Sequence, residues 1–105
     1  MMTSLLIRED TVREALREVI DPELGESLVE LGLIYGIRVD GGRVDVDLTL
    51  TTPSCPLHAS LRAAAERAIR LMVPGVEEVQ VNLVFEPRWT PERMSAAAKQ
   101  RLGFK

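Results

Sequence analysis

The chain has 105 residues and a mass of 11.7 kDa, which is enough for one compact domain and too short for two. Hydrophobic residues make up 46% of it and charged residues 28%, which argues against intrinsic disorder. Thirteen basic and sixteen acidic side chains give a net charge of −3. This balance disfavours nucleic acid as a partner, because a nucleic-acid-binding domain carries a basic surface.

The charges are unevenly distributed along the chain. Residues 1–50 hold five arginines against eleven acidic residues, whereas residues 86–105 hold five basic residues against two acidic ones. An acidic N-terminal half and a basic C-terminal segment indicate either docking to a partner or head-to-tail association of chains, or else charged faces that are simply solvated. No apolar run approaches the ~20 residues that span a membrane, and the run at 5–7 is too short for a signal peptide. We therefore expect a cytoplasmic protein without a membrane partner.

The first helix is predicted to begin at Thr11, because Thr11 and Glu14 have the spacing of a capping box. Apolar residues follow at helical spacing: Val12, Leu16, Val19 and Ile20. Pro22 is expected to end this helix, since proline disfavours the helical conformation of the residue before it. A short helical turn is predicted over residues 27–31.

A β-hairpin is predicted next, because apolar residues alternate over 33–39 and again over 44–50, on either side of Gly41 and Gly42. The predicted register pairs Val39 with Val44, Ile37 with Val46, Tyr35 with Leu48 and Leu33 with Leu50, and on the other face Arg38 with Asp45 and Ile34 with Thr49. A slip of one residue would mix the apolar and polar faces. This register places the loop 21–32 beside the loop 51–55.

The second half of the chain predicts a long helix, a third strand and a final short helix. The helix runs from Pro56 to about Met72, and the strand covers residues 79–85. The apolar face of the helix comprises Leu57, Leu61, Ala64, Ala65, Ala68, Ile69 and Met72. The last helix begins at Thr90 and Pro91 and stops at Gly103.

The predicted order is therefore α-β-β-α-β-α. A three-stranded sheet with one apolar face, covered by amphipathic helices on that face, is a two-layer α+β sandwich. We expect residues 1–105 to form a single domain with a core of about 10–103. The order of the strands within the sheet stays open.

Cys55 is the only cysteine, so the chain has one thiol and cannot form an internal disulfide. It directly precedes Pro56, at the predicted start of the long helix. The positive end of a helix lowers the pKa of a nearby thiol and favours the thiolate, which binds soft metals and attacks electrophiles. The alternative is that Cys55 is a small buried hydrophobe. Its place in a Thr/Ser/Pro loop rather than in an apolar stripe favours a functional role.

Two acidic residues and one histidine are candidates to assist this thiol. The predicted register brings Asp21 and Glu23 towards Cys55, where they would serve as a base or as hard ligands. Alternatively, Asp21 caps the following turn. His58 lies three residues after Cys55, but two ligands do not complete a zinc site, and a solvated helix-surface histidine is the simpler interpretation.

Two threonines and the tryptophan complete the set of candidates. Thr51 and Thr52 would hydrogen-bond to a thiolate or to a bound cluster, or they merely fill the end of a strand. Trp89, within P-R-W-T-P, is either a lid on the core or a contact surface for a partner.

Four segments resemble one family: D-P-E-L at 21–24, L-G-L-I-Y at 31–35, T-L-T-T-P-S-C-P at 49–56 and W-T-P-E-R-M-S at 89–95. The family is that of the small iron–sulfur cluster assembly factors, once catalogued as a domain of unknown function, which includes SufT-like and PaaD-like proteins. The resemblance covers about residues 10–103. It is specific because four blocks occur in order with matching spacing.

The resemblance implies an α+β domain that helps to deliver or mature iron–sulfur clusters on client proteins. It places the functional cysteine at Cys55 and the acidic loop at Asp21 and Glu23. The implied partners are the iron–sulfur assembly machinery and client apo-proteins. PaaD-like members, tied to maturation of a phenylacetyl-CoA-type ring oxygenase, commonly carry a cysteine-rich tail. The sequence ends at Lys105 without such a tail, so we expect a SufT-like factor.

The cysteine count limits what this resemblance allows. A cluster held by protein thiolates needs several of them, and each chain has one. We expect either a transient cluster bridged by Cys55 of two subunits in a homodimer, or an adaptor without a stable cluster. Two other classes stay open. One is an enzyme with Cys55 as nucleophile and Asp21, Glu23 or His58 as base. The other is an interaction module that uses a sheet edge or Trp89. A non-enzymatic factor is the main expectation.

Overall fold

The structure is a computed structural model that describes residues 7–22, 24–51 and 58–103. Its elements are α1 (Glu9–Leu16), β1 (Ile34–Asp40), β2 (Arg43–Leu48), α2 (His58–Met72), β3 (Glu78–Leu83) and α3 (Ala96–Leu102). A 3-10 helix, Pro91–Arg93, precedes α3. The predicted order α-β-β-α-β-α is therefore confirmed.

The three strands form a mixed sheet in the order β1-β2-β3. β2 is central, antiparallel to β1 and parallel to β3, and α2 forms the crossover that a parallel pair requires. α1 contacts α2 and β1, and α2 contacts β3. Buried side chains of the sheet join those of the helices in one core, among them Val44, Val46, Leu48, Val79 and Val81. The α+β architecture is confirmed.

The hairpin register is confirmed near its loop and wrong at its open end. Ile37 pairs with Val46 and Val39 with Val44, but Ile34 rather than Tyr35 pairs with Leu48. An irregularity between Ile34 and Gly36 accounts for the shift, since an extra residue in one strand moves the pairing by one position. The predicted pairs Tyr35–Leu48, Leu33–Leu50 and Ile34–Thr49 are all displaced.

The irregularity has a tertiary cause. The Tyr35 hydroxyl donates a hydrogen bond to the carbonyl of Pro87 at 2.8 Å, and the Arg93 guanidinium lies 4.5 Å from the centre of the Tyr35 ring. Tyr35 therefore contacts the segment after β3, and its side chain does not follow the alternation of apolar residues along β1.

The opposite face of the sheet is polar and internally paired. Arg38 donates two hydrogen bonds to Asp47, at 2.8 and 3.0 Å, and Asn82 donates a third at 3.3 Å. The hydrogen bonds from Arg38 lower the pKa of Asp47 against the opposing effect of burial. The predicted backbone pair of Arg38 and Asp45 is present, but the Arg38 side chain bonds to Asp47 instead.

α1 differs from its prediction at both ends. It begins at Glu9 with Arg8 at the N-cap, so Thr11 lies inside the helix and the predicted capping box is wrong. It ends at Leu16, well before Pro22, because the chain turns away to form an isolated bridge between Ile20 and Ser27. The predicted turn over 27–31 is present, with Leu31 N–H donating to the Ser27 carbonyl at 3.0 Å.

The predicted last helix is two helices. The 3-10 helix carries Pro91 in its first turn, as expected, but Met94 and Ser95 are extended. Met94 is buried in the core, and Ser95 N–H donates to the Glu30 carbonyl at 2.8 Å. The burial of Met94 and the hydrogen bond of Ser95 keep the chain extended between the 3-10 helix and α3. Ser95 then caps α3, which ends at Gly103 as predicted.

The apolar face of α2 is narrower than predicted. Leu61, Ala65 and Ile69 are buried, whereas Met72 is 47% exposed. Ala64 and Ala68 are half-buried at its margin. The predicted strand end at Phe85 is also too long, since β3 stops at Leu83. Pro56 and Leu57 lie outside the described residues.

Candidate functional site

The structure describes the residues on either side of the segment that carries the only cysteine. Glu23, Thr52 and Cys55 lie outside the described residues. Thr51 is the last described residue before Cys55 and is half-buried, and His58 is the first residue of α2. The segment 52–57 therefore connects the end of β2 to the start of α2.

The exit from β2 lies against the entrance to β1. Thr49 and Leu50 are buried, and Thr49 N–H donates to the carbonyl of Leu33 at 2.8 Å. Leu33 directly follows the loop 21–32 and Thr49 precedes the loop 51–55, so this contact lies next to the two loops expected to be neighbours; residues 52–55 lie outside the described residues. The contact is made through Thr49 instead of Leu50, because of the register shift at Tyr35.

A pocket of about 310 Å³ opens beside Thr51. One wall consists of residues 49–51, and the other consists of Phe85, Glu86, Arg88 and Trp89. Val84 N–H donates to the Leu48 carbonyl at 2.9 Å, which holds the segment after β3 next to the end of β2. The lining combines apolar side chains, Leu50, Phe85 and Trp89, with the polar side chains of Thr49, Thr51, Glu86 and Arg88.

Trp89 connects this pocket to the turn before β1. Its ring is half-buried against the core, and its Nε1–H donates to the carbonyl of Leu31 at 2.7 Å. Trp89 thus has the position of a lid on the core, one of the two predicted roles, and it also forms a wall of the pocket. It lines this pocket together with Thr51.

Asp21 lies in a tight turn and is only 4% exposed. Its Oδ1 accepts a hydrogen bond from Leu24 N–H at 3.3 Å, and its carbonyl accepts one from Gly25 N–H at 2.7 Å. Its own N–H donates to the Glu26 carbonyl at 2.9 Å. These bonds match the turn-capping interpretation of Asp21. Asp21 is not among the described residues that line the pocket beside Thr51.

Three side chains that anchor α3 are not indicated by any sequence motif. Arg101 donates from Nε and Nη2 to the two carboxylate oxygens of Glu26, at 2.7 and 2.6 Å. These hydrogen bonds hold the pKa of Glu26 below its ordinary value, although burial opposes them. Glu30 accepts from the Ser95 hydroxyl and from Arg17 Nη1, the latter at 2.6 Å.

The uneven charge of the chain is the available signal for these pairs. The acidic first half and the basic tail meet within one chain where Arg101 contacts Glu26 and, at 3.9 Å, Glu30. Sequence spacing does not predict this, because Glu26 and Arg101 are 75 residues apart. The contacts attach α3 to the turn that precedes β1.

Two kinds of feature are missing from the part of the chain that the structure describes. No three described side chains of the types His, Cys, Asp and Glu are grouped so that they could hold a metal ion. Among the described helices, none is long and apolar enough to cross a membrane.

Comparison with known proteins gives a family and close relatives. Residues 9–83 match the family described as iron-sulfur cluster assembly protein. The chain is 41% identical over 86 residues to the Fe-S protein maturation auxiliary factor SufT of Staphylococcus aureus, covering 81% of this chain and 97% of that protein.

A longer relative and a solved structure agree with this family. An iron-sulfur cluster carrier protein of Synechocystis is 41% identical over 98 residues, covering 93% of this chain. The chain spans 27% of the length of that protein. A crystal structure of a domain of unknown function from Bacillus anthracis superposes with a TM-score of 0.88 at 37% identity, covering 92% of each chain. The chain belongs to the iron–sulfur cluster assembly protein family.

Proposed function

We propose that Cys55 is the thiolate through which this accessory factor of iron–sulfur cluster assembly or transfer passes metal, cluster or sulfur to client apo-proteins. The accessory role rests on the family and on relatives named as a maturation auxiliary factor and as a cluster carrier. The observation that carries the proposal is the position of the chain's only cysteine, between the pocket-lining Thr51 and the first residue of α2.

The chemistry of that position supports a thiolate. Free backbone N–H groups and the helix dipole at the start of a helix stabilise an anion, so the pKa of a cysteine next to such an end is lowered. α2 has fifteen residues, which gives it a full dipole. A thiolate is the form of cysteine that binds iron and that exchanges sulfur.

The other predicted site residues receive supporting roles in this proposal. Thr51 and Thr52 would hydrogen-bond to the thiolate or to its cargo, and Glu23 and His58 would serve as a base or as further ligands. Asp21 supports the site through the turn that it caps. Trp89 is the contact for a partner, since it forms a wall of the pocket beside Thr51.

The cluster itself is cargo in this proposal. One thiolate per chain cannot hold a cluster alone, because clusters are usually held by several thiolates. Either Cys55 of two subunits bridges a transient cluster in a homodimer, or no stable cluster forms and the chain acts as an adaptor. The partners are the assembly machinery and client apo-proteins, in the cytoplasm. In this proposal the chain, with residues 1–105 as one domain, is not an enzyme.

The test is anaerobic reconstitution of the wild type and of Cys55→Ser with iron and sulfide, followed by visible absorption and by mass in solution. Wild type alone should gain charge-transfer absorption. Thr51→Val keeps the thiol and removes the hydroxyl that is proposed to assist it, so it should take up less cluster than the wild type but more than Cys55→Ser.

Maturation of a cluster-dependent client enzyme is measured in parallel. If neither protein takes up a cluster but Cys55→Ser stops maturation, the thiol acts without a stable cluster. Full maturation by Cys55→Ser would contradict the proposal. Loss of maturation in Trp89→Ala together with an active Cys55→Ser would favour a pure interaction module.

A further inference from the structure

An apolar groove lies on the helix layer, away from the pocket beside Thr51. It has a volume of about 360 Å³ and separates residues 18–20, which follow α1, from one side of α2. Leu71 is 77% exposed, Ile20 51% and Met72 47%, and all three line it. We call it the α1–α2 groove.

The α2 side of the groove is a regular helical stripe. It comprises Ala64, Arg67, Ala68, Leu71 and Met72, with the three- and four-residue spacing of one helix face. The core uses a neighbouring stripe, formed by Leu61, Ala65 and Ile69. α2 therefore has more apolar surface than the fold of one chain buries. Contiguous exposed apolar surface of this kind marks an interaction site.

The two sides of the groove carry opposite charge. Glu18 stands on the α1 side and Arg67 on the α2 side, and both are exposed. Neither has an ion-pair partner among the residues that the structure describes, whereas the nearby Arg70 pairs with Glu66 at 3.2 Å. On the α1 side, Glu9 and Glu14 pair with Arg13 at 3.6 Å and Arg17 at 3.3 Å, unlike Glu18.

We propose that the α1–α2 groove docks a second copy of this chain, around a two-fold axis that runs along the groove. A two-fold contact uses the same surface of both copies, so the surface must be complementary to itself. Rotation about this axis places the α1 side of each groove over the α2 side of the other. Glu18 of each copy then meets Arg67 of the other, and the exposed side chains of Leu71 and Ile20 leave water.

A second copy fits this surface better than a partner of one charge. A uniformly acidic or basic partner would match one side of the groove and be repelled by the other. The axis also sets the direction of the helices. Both α2 helices run the same way, so both His58 residues lie at one end of the dimer. The dimer does not depend on the proposed role of Cys55.

The test is the mass of the full chain in solution by sedimentation, measured over a range of concentrations, for the wild type and a set of variants. Wild type should be a dimer that dissociates on dilution. Leu71→Asp should be a folded monomer, because Leu71 is exposed and the new charge would be buried on docking. Ala59→Asp is the matched control, since it adds the same charge to another exposed position of α2 and should leave the dimer intact.

Charge exchange tests the two-fold geometry. Glu18→Arg alone and Arg67→Glu alone each place like charges together twice, and each should raise the dissociation constant about tenfold. The double variant E18R/R67E restores both pairs and should recover the wild-type constant. Cys55→Ser should remain a dimer, which separates this contact from one bridged by a cluster.

Several outcomes would overturn the proposal. A wild type that stays monomeric at high concentration would do so, and so would a dimer that Leu71→Asp leaves unchanged. Failure of the double variant to recover affinity, with both single variants weakened, would exclude the two-fold pairing of Glu18 with Arg67. A dimer lost in Cys55→Ser would assign the contact between the copies to the thiol instead. Circular dichroism of each variant checks that it is folded.

Discussion

Gly32 lies directly against the backbone of Arg93. A Cβ built on Gly32 would lie 2.7 Å from the carbonyl carbon of Arg93 and closer still to its oxygen. Gly32 also has a φ of +74°, a conformation that side chains other than glycine's rarely adopt. The turn before β1 and the 3-10 helix therefore approach as closely as they do because this position has no side chain.

Gly32→Ala should lower the free energy of unfolding by about 3 kcal/mol or more, since backbone strain and a collision with main-chain atoms add together. Gly41→Ala is the control. It has a φ of +61° but no atom within 4 Å of the added Cβ, so it should lose about 1–2 kcal/mol from strain alone. The free energy of unfolding of both variants is measured by urea denaturation. Equal losses in the two variants would mean that the backbone at Arg93 moves away from the added Cβ at little cost.

The hydrogen bond from Trp89 to Leu31 predicts a specific stability loss. Trp89→Phe keeps an aromatic ring but removes the donor, which leaves the Leu31 carbonyl unpaired and should cost about 1–3 kcal/mol. Tyr35→Phe removes a hydroxyl that donates to Pro87 in a more exposed place, so its loss should be smaller. Chemical denaturation measures both. A Trp89→Phe protein as stable as the wild type would show that this hydrogen bond contributes nothing.

The pair of Glu26 and Arg101 predicts a dependence of stability on pH. Hydrogen bonds from Arg101 lower the pKa of folded Glu26 below its ordinary value of 4.5. The pair therefore stabilises the fold above that ordinary value, and its contribution is lost as the pH falls through the folded pKa. Arg101→Gln should be less stable than the wild type at neutral pH, and the difference should shrink in acid.

Arg70→Gln is the control for this pair. Arg70 pairs with Glu66 one helical turn away, with both side chains nearly half exposed, and such pairs contribute about 0.3–0.5 kcal/mol. Thermal unfolding is followed at several pH values between neutral and strongly acid. A difference between wild type and Arg101→Gln that does not change with pH would refute the assignment to Glu26.

Asp21 is predicted to act through the turn that it caps. Asp21→Asn keeps an oxygen that accepts from Leu24 N–H and should be less destabilised than Asp21→Ala, which loses about 0.5–2 kcal/mol with the acceptor. Asp21→Asn should also still support maturation of a client. A folded Asp21→Asn protein that fails in maturation would instead give the carboxylate a chemical role.

Local patterns predict local structure well. The hairpin register near Gly41 and Gly42 follows from alternating residues and a two-residue loop, both of which act within a few residues. The shift at Tyr35 is not predictable in this way, because the Tyr35 hydroxyl bonds to Pro87, 52 residues further along the chain. The break before α3 has the same kind of cause, since Ser95 N–H bonds to the carbonyl of Glu30.

The candidate site could also be predicted only in part from the sequence. The sequence singles out Cys55 because it is the only thiol, and Trp89 because it lies in a proline-flanked segment. The pocket that joins Trp89 to Thr51 depends on the placement of the segment after β3, which no spacing indicates. The exposure of Met72 likewise depends on which stripe of α2 faces the sheet.

The sequence by itself determined the order of elements, the hairpin near its Gly41–Gly42 loop and the single thiol, because periodicity, turn residues and composition act over short distances along the chain. The tertiary structure alone decided that β3 lies beside β2, that Arg101 pairs with Glu26 and that the α1–α2 groove stays open. Those features join residues that are far apart in sequence, and their geometry is set only when the core packs.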